Sequence, residues 1–256
     1  MNILCIGDVI AQSGVEMVEA HLKSLKAEFE IDFTIANGEN CTTGNGINAE
    51  RADRLIEAGV DVITMGNHTF SKKEIIKLFE QGYPIIRPAN MHPSVPGAGY
   101  IVKEVKGVNI AVISLLGRVN LEPADCPFRT ADDVLGKLPS GSVMVVDFHA
   151  EATSEKYALA WYLDGKVSAM FGTHTHVQTA DERVFPGGMG YITDLGMTGP
   201  YNSVIGLDKN IAVRRFLTQL PERFEWAEGL TCLNAIIFSI DPNTQKTVKV
   251  NRIFIK

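Results

Sequence analysis

Residues 1–40 read MNILCIGDVIAQSGVEMVEAHLKSLKAEFEIDFTIANGEN, and this stretch decides the fold class. The apolar run at residues 2–7 predicts a buried strand, and residues 31–36 predict a second one. Between them, residues 14–30 carry aliphatic side chains near helical spacing: Val15, Val18, Leu22 and Leu25. A strand, a helix and a strand in this order are typical of parallel strands joined by a right-handed crossover.

The same alternation continues along the chain. Residues 48–58 and 71–81 have helical patterns, and residues 60–65 form an apolar run between them. We expect Ser71 to cap the later helix, with Glu74 completing a capping box. This region therefore predicts a parallel sheet with crossover helices.

Beyond residue 100 the sequence becomes richer in predicted strands. We expect a hairpin at 100–105 and 108–114, and a helix at 153–163. Further strands are expected at 143–148, 168–171, 189–193, 231–240 and 247–255. No linker, repeat or low-complexity segment interrupts the pattern. We therefore predict one α/β domain over residues 1–256, a two-sheet β-sandwich flanked by helices.

Composition limits the classes of function. The net charge of −6 is unfavourable for strong nucleic-acid binding, which depends on neutralisation of phosphates by Lys and Arg, and it permits a homo-oligomer. The apolar N-terminus lacks a basic region, and no apolar run approaches the roughly 20 residues of a membrane span. Four scattered cysteines without a CxxC pair indicate reduced thiols, so a cytoplasmic protein without membrane contact is expected: Cys5, Cys41, Cys126 and Cys232.

Five short polar motifs each follow a predicted strand. They are Gly7-Asp8, Gly38-Glu39-Asn40, Gly66-Asn67-His68, Asp147-Phe148-His149 and Gly172-Thr173-His174-Thr175-His176. In open α/β sheets, ligands bind outside the carboxyl ends of the strands, so these residues can converge. Three of the four histidines and two of the three carboxylates in these motifs already exceed the ligand set of one open catalytic ion. They suit two ions about 3.5–4 Å apart, bridged by a carboxylate and by a water that becomes the nucleophile.

Each motif alone also has a structural interpretation. Asp8 alone is better explained as an N-cap or turn residue, and Glu39 with Asn40 equally suits a turn. His149 could be a core histidine with satisfied hydrogen bonds. The pair His174 and His176 is more specific, because residues two apart in an extended chain face the same side. The five motifs together favour the metal site.

Arg118 follows a predicted strand and could bind a phosphate group. An arginine in a solvated loop explains it equally well. His21 and His92 lie in a predicted helix and a proline-rich loop, and no role is assigned to them.

The ordered segments IGDVI, NGEN, TMGNHTF, RPAN, DFHAEATSEK, GTHTHVQTAD and ITDLGMTGP resemble the YmdB-like bacterial branch of the calcineurin-like metallophosphoesterases. The resemblance runs from Met1 to beyond Gly206. It implies two packed sheets with outer helices, a dinuclear iron or manganese site, and hydrolysis of small phosphodiesters, including 2′,3′- and 3′,5′-cyclic nucleotides, by a metal-bridging hydroxide.

The resemblance also implies a role for each site residue. One metal would be held by Asp8, Glu39, Asn40 and His176. The other would be held by Glu39, Asn67, His149 and His174, with Glu39 bridging the two. His68 would act as the general acid.

The sequence departs from the wider superfamily at two motifs. Ile10 stands where the superfamily usually has a metal-binding histidine, and Glu39 replaces an aspartate. Asn40 would occupy the place of the missing histidine. An amide oxygen is a harder ligand than imidazole, so the first site should prefer iron or manganese over zinc.

Two other functions remain open from the sequence. A phosphomonoesterase would use the same dinuclear site, and a non-catalytic regulatory protein would keep the metals to brace the strand ends. The presence of His68 favours an enzyme, because a structural metal site has no need of it.

Overall fold

The computed structural model describes residues 1–256, with six helices and fourteen strands. The helices are α1 (Ala11–Glu28), α2 (Ala49–Ala58), α3 (Ile75–Glu80), α4 (Pro127–Leu135), α5 (Thr153–Leu163) and α6 (Lys209–Thr218). The strands are β1 (Asn2–Ile6), β2 (Asp8–Val9), β3 (Ile31–Asn37), β4 (Val62–Thr64), β5 (Ile85–Ile86), β6 (Tyr100–Val105), β7 (Val108–Leu116), β8 (Val143–His149), β9 (Ala169–Thr173), β10 (Arg183–Val184), β11 (Gly190–Ile192), β12 (Met197–Pro200), β13 (Thr231–Asp241) and β14 (Lys246–Ile255).

The strands form two sheets. The first has the order β2-β12-β13-β1-β3-β4-β5, and β14 also pairs with β13. The second has the order β10-β11-β9-β8-β7-β6. Strands β1, β3, β4 and β5 are mutually parallel, as the alternation of strands and helices predicts. Their carboxyl ends therefore lie at one edge of the sheet.

Three apolar cores separate four layers. Alternation along β1 sends Leu4 and Ile6 into a core shared with α1, α2 and α3, whereas Ile3 and Cys5 enter a core between the two sheets. A third core joins the second sheet to α4 and α5. The predicted two-sheet sandwich flanked by helices is confirmed.

The predicted helix at residues 71–81 begins later than expected, at Ile75, and Ser71 does not cap it. The Ser71 N–H donates to the carbonyl of His68 (3.0 Å), which continues a turn after β4. The carboxylate of Glu74 accepts from the Ala49 N–H (3.2 Å), so it serves the start of α2 and not a capping box with Ser71.

Strand β1 near the N-terminus lies between β3 and β13, and β13 carries the C-terminal strand β14. From this interleaving we infer that residues 1–256 fold as one domain. The C-terminal hairpin exposes Val248 and Phe254, and self-association stays a prediction. Among the helices, none combines the length and the apolar character required to span a membrane.

Candidate dinuclear metal centre

Four donor atoms from four different strand ends converge on one point. His149 Nε2 lies 2.9 Å from Glu39 Oε1, 2.9 Å from Asn67 Oδ1 and 3.1 Å from His174 Nδ1. One proton on His149 cannot satisfy all three neighbours. Ligand atoms bound at about 2.0–2.2 Å to a common transition-metal ion lie about 3 Å from one another, so this spacing fits a cation. The set Glu39, Asn67, His149 and His174, which the resemblance assigns to one metal, is brought together.

A second group of donors lies beside the first. Asp8 Oδ1 lies 3.7 Å from His176 Nε2, and the Asn40 amide nitrogen lies 3.2 Å from the same His176 atom. Rotating that amide by half a turn would bring its oxygen to this position. The carboxylate of Asp8 is fully buried, and its Oδ1 has no hydrogen-bond partner. A buried acceptor without a donor is costly, so this oxygen too fits a cation.

Each histidine is oriented by a partner outside the donor groups. His149 Nδ1 lies 2.9 Å from the hydroxyl of Thr173, which donates to buried Asp147 (2.7 Å). His174 Nε2 lies 3.1 Å from Glu151 Oε2, and His176 Nδ1 lies 2.8 Å from the carbonyl of Ile205. With one nitrogen of each ring engaged outside, the other nitrogen is left to face the donor groups, as in metal-binding histidines.

His174 and His176 lie in a turn and not in the extended chain expected from the sequence. Strand β9 ends at Thr173, and φ is +99° at His174 and +65° at His176. The His174 N–H donates to Asp8 Oδ2 (3.2 Å), a hydrogen bond that stabilises the bent backbone. Positive φ values at two nearby residues are uncommon outside glycine and cluster at functional sites.

A buried ion pair stabilises the turn at residues 173–176 through hydrogen bonds to its backbone. Lys156 Nζ lies 2.6 Å from Asp194 Oδ2, and both side chains are almost completely buried. Lys156 also donates to the Thr173 carbonyl (3.0 Å), while Asp194 accepts from the Thr175 N–H (3.1 Å). The sequence analysis gave neither residue a role, because an isolated Lys and Asp carry no recognisable spacing.

Burial and neighbouring charges shift the pKa values of three residues in the donor groups. Burial raises the pKa of Asp8 to about 6, against the opposing charges of His176 and His149. Burial would also raise the pKa of Glu39, but the charge and hydrogen bond of His149 outweigh it and lower that pKa to about 2. Burial and the neighbouring His149 lower the pKa of His174 to about 3, which leaves its ring neutral and able to bind a metal.

Gly66 allows Glu39 and His149 to approach each other. A Cβ at this position would lie 2.3 Å from His149 Cδ2 and 2.4 Å from Glu39 Oε2, closer than real Cβ atoms come. The glycine is therefore needed for space at the centre of the donor group.

We expect Gly66→Ala to lower the free energy of unfolding by about 1–3 kcal/mol, the usual cost of overpacking. It should also reduce the bound metal, because the Cβ displaces the Glu39 carboxylate. Chemical denaturation and elemental analysis measure the two effects. Gly136→Ala is the matched control, since its nearest atom lies at an ordinary 3.5 Å. Equal metal content in Gly66→Ala and the control would contradict the assignment.

The donor groups open onto a cavity of about 900 Å³. His68 lines it, and its backbone N–H donates to Glu39 Oε2 (3.1 Å). Arg118 is exposed, its backbone N–H donates to Glu155 (3.0 Å), and it is not among the residues lining the cavity. Arg223 does line it. The sequence analysis missed Arg223, because it lies in a segment without a motif.

Known proteins are similar to this chain in sequence over nearly its whole length. The sequence profile described as YmdB-like protein matches residues 4–253. The chain belongs to the YmdB-like family. A Bacillus subtilis (strain 168) relative named 2′,3′-cyclic-nucleotide 2′-phosphodiesterase is 47% identical over 256 residues, which cover 100% of this chain and 97% of the relative.

Two solved structures have the same YmdB-like fold. A hypothetical protein from Thermus thermophilus has a TM-score of 0.95 at 40% identity, with 100% of this chain and 99% of the other covered. A novel phosphatase from Mycoplasma pneumoniae has a TM-score of 0.94 at 37% identity, with 100% and 93% covered. The resemblance to the YmdB-like branch of the metallophosphoesterases is therefore confirmed.

Proposed function

We propose that this YmdB-like chain is a metal-dependent phosphodiesterase that hydrolyses small phosphodiesters, with 2′,3′-cyclic nucleotides as the leading substrates and 3′,5′-cyclic nucleotides next. Its family makes it a phosphoric ester hydrolase, as the sequence predicts. The observation that carries the proposal is the pair of adjacent donor groups, from which Glu39, Asn40, His174 and His176 line one cavity. The name of the Bacillus subtilis relative supports the substrate class.

The residues fit two cations. Glu39, Asn67, His149 and His174 would hold one, and Asp8, Asn40 and His176 would hold the other together with Glu39. Iron or manganese suits this mixture of imidazole, carboxylate and amide ligands. When bound, such cations supply Lewis acidity toward phosphoryl oxygens and a water of lowered pKa.

The chain itself orients the substrate and supplies a proton. Hydrolysis of a 2′,3′-cyclic phosphate breaks one P–O bond, and the departing sugar oxygen needs a proton. The amide oxygen of Asn67 lies 2.9 Å from His149 Nε2, and its amide nitrogen lies 3.5 Å from His68 Nε2. His68 itself lines the open cavity. His68 would donate this proton as a general acid.

The cavity favours a substrate with a single phosphoryl group. Its lining includes three carboxylates that do not belong to the donor groups: Glu151, Glu225 and Glu228. These would repel the further phosphates of a nucleic acid, in keeping with the net charge of −6. The four cysteines are free thiols, and we propose that the enzyme acts in the cytoplasm.

A substrate panel tests the proposal. The protein is purified without chelator, supplied with Mn²⁺ or Fe²⁺, and assayed with 2′,3′-cyclic AMP, 3′,5′-cyclic AMP, a nitrophenyl diester and 3′-AMP. We expect the diesters to be hydrolysed, and 3′-AMP to accumulate from the first substrate. Turnover of 3′-AMP alone would instead indicate a phosphomonoesterase. Absence of turnover with metals bound would indicate a non-catalytic protein.

Substitution of Arg223 and of Arg118 tests which arginine binds the substrate phosphate. Arg223 lines the cavity and can attract the anionic substrate, so Arg223→Ala should lower kcat/KM for 2′,3′-cyclic AMP by about tenfold, typical of one lost charged contact. Arg118→Ala should change it by less than about twofold, since an exposed charge outside the cavity contributes little. Steady-state kinetics at fixed ionic strength measure both. The reverse order would restore Arg118 as the phosphate-binding residue.

A further inference from the structure

The cavity is larger than a phosphoryl group needs. Its volume of about 900 Å³ falls within the range of roughly 300–1,000 Å³ that accommodates whole small molecules. The donor groups and His68 lie on one side. The segment 223–228 supplies another part of the lining, including the aromatic side chains Phe224 and Trp226. The cavity thus combines a polar region suited to phosphate with an aromatic region that catalysis does not use.

This aromatic region is held in place relative to the donor groups. Leu207 and Trp226 form an isolated antiparallel bridge. On either side of it, the Asp208 N–H donates to the Glu225 carbonyl and the Ala227 N–H to the Gly206 carbonyl, both at 2.9 Å. The neighbouring Ile205 carbonyl lies 2.8 Å from His176 Nδ1. A short chain of hydrogen bonds therefore connects the aromatic segment to a metal-binding histidine.

The side chain of Phe224 is unusually exposed for an aromatic residue, because 42% of its surface is accessible to solvent. The guanidinium of Arg215 in α6 lies over its ring, 4.4 Å from the centroid. This contact restrains the ring without covering it. A restrained aromatic face at the edge of a cavity is a suitable stacking surface for a flat ligand.

We propose that Phe224 and Trp226 form a nucleobase-binding subsite, in which the base of a nucleotide stacks while its phosphate lies at the donor groups. Every base has a π-face, so stacking would select nucleotides over other phosphodiesters without selecting one base strongly. The inference rests on the proposed function and adds to it the physical reason for a nucleotide substrate.

The kinetic test compares two cyclic phosphates that differ in the base. For 2′,3′-cyclic AMP, Phe224→Ala should lower kcat/KM by about 5- to 150-fold, as expected from the loss of one base–aromatic stack. For glycerol 2,3-cyclic phosphate, which has no base, the change should be under about twofold. Phe224→Tyr should restore the nucleotide activity, and Phe224→Leu should restore it less. Phe216→Ala is the control, because Phe216 on α6 is 81% exposed and does not line the cavity.

A binding test gives a readout independent of turnover. The chain has two tryptophans, so Trp161→Phe leaves Trp226 as the sole tryptophan fluorophore. Titration with 3′-AMP should change its fluorescence with saturation, whereas inorganic phosphate should not. In the same background, Phe224→Ala should weaken the 3′-AMP affinity by a factor similar to the kinetic loss.

The outcomes separate the two proposals. Equal losses of Phe224→Ala on both cyclic phosphates, or no response of Trp226 to 3′-AMP in an active enzyme, would overturn the subsite and leave the phosphodiesterase standing. A saturable Trp226 response in a protein that hydrolyses neither cyclic phosphate would support the subsite and overturn the proposed function.

Discussion

Replacing Glu39 by Gln is expected to remove both metal ions and nearly all phosphodiesterase activity. Its carboxylate lies 2.9 Å from His149 Nε2, and it is the residue assigned to both donor groups. Loss of a partner outside the ligand set typically costs roughly 10–100-fold in metal affinity or activity, so loss of a shared ligand should cost more. Elemental analysis should find about two metal ions per chain in the parent protein and fewer than one in the variant.

The variant His176→Ala tests whether a residue assigned to one donor group affects one metal ion and not both. Because His176 belongs to one donor group, its loss should mainly deplete one ion and leave the other in place. Glu104→Gln, on the exposed side of β6, is the control that removes a carboxylate far from the site. Full metal occupancy in Glu39→Gln would rule out the bridging role, and equal depletion in His176→Ala would rule out the division into two groups.

His68→Ala should keep both metals and lower kcat on 2′,3′-cyclic AMP by about 10²–10⁴-fold, the usual contribution of a general acid. The departing sugar oxygen is a poor leaving group without a proton. A nitrophenyl diester should be affected much less, because its leaving group needs little protonation. The ratio of the two losses is therefore the measurement that reports acid catalysis.

His21→Ala, on α1, is the matched histidine control and should leave both activities unchanged. Equal losses on the two diesters with intact metal would make His68 a positioning residue for the substrate. Depletion of metal in His68→Ala would instead mean that the side chain of His68 supports the ligands, through its contact with the Asn67 amide (3.5 Å).

The sequence predicts which polar residues meet at the sheet edge, because strand ends impose a simple rule. Apolar runs locate β1, β3, β4, β8 and β9. Parallel pairing aligns the carboxyl ends within each of the two sheets, and the packing of one sheet on the other brings the two sets of ends together. The polar residues that follow must then lie close to one another. The positions of Glu39, Asn67 and His149 follow from this rule without knowledge of any side-chain contact.

Other parts of the site depend on contacts between distant segments. Strands β2 and β12 have only two and four residues, too few for a periodic pattern. The aromatic segment at 223–228 gains its place through the bridge between Leu207 and Trp226. The turn at His174 depends on Asp8, which is 166 residues away in the sequence. No local pattern encodes such pairings.

The central position of β13 has a consequence for biosynthesis. Strand β1 pairs with β13, the Gly7 N–H donates to the Asn234 carbonyl of β13 (3.0 Å), and Asp8 in β2 pairs with β12, which itself pairs with β13. All the donor residues have been synthesised by residue 176, yet the edge that positions Asp8 is completed only when residues 231–241 leave the ribosome. At about 5–20 residues per second, the nascent chain carries an unfinished site for seconds after His176 has been synthesised. If Asp8 binds a metal ion as proposed, loading of that ion should therefore follow the synthesis of residues 231–241.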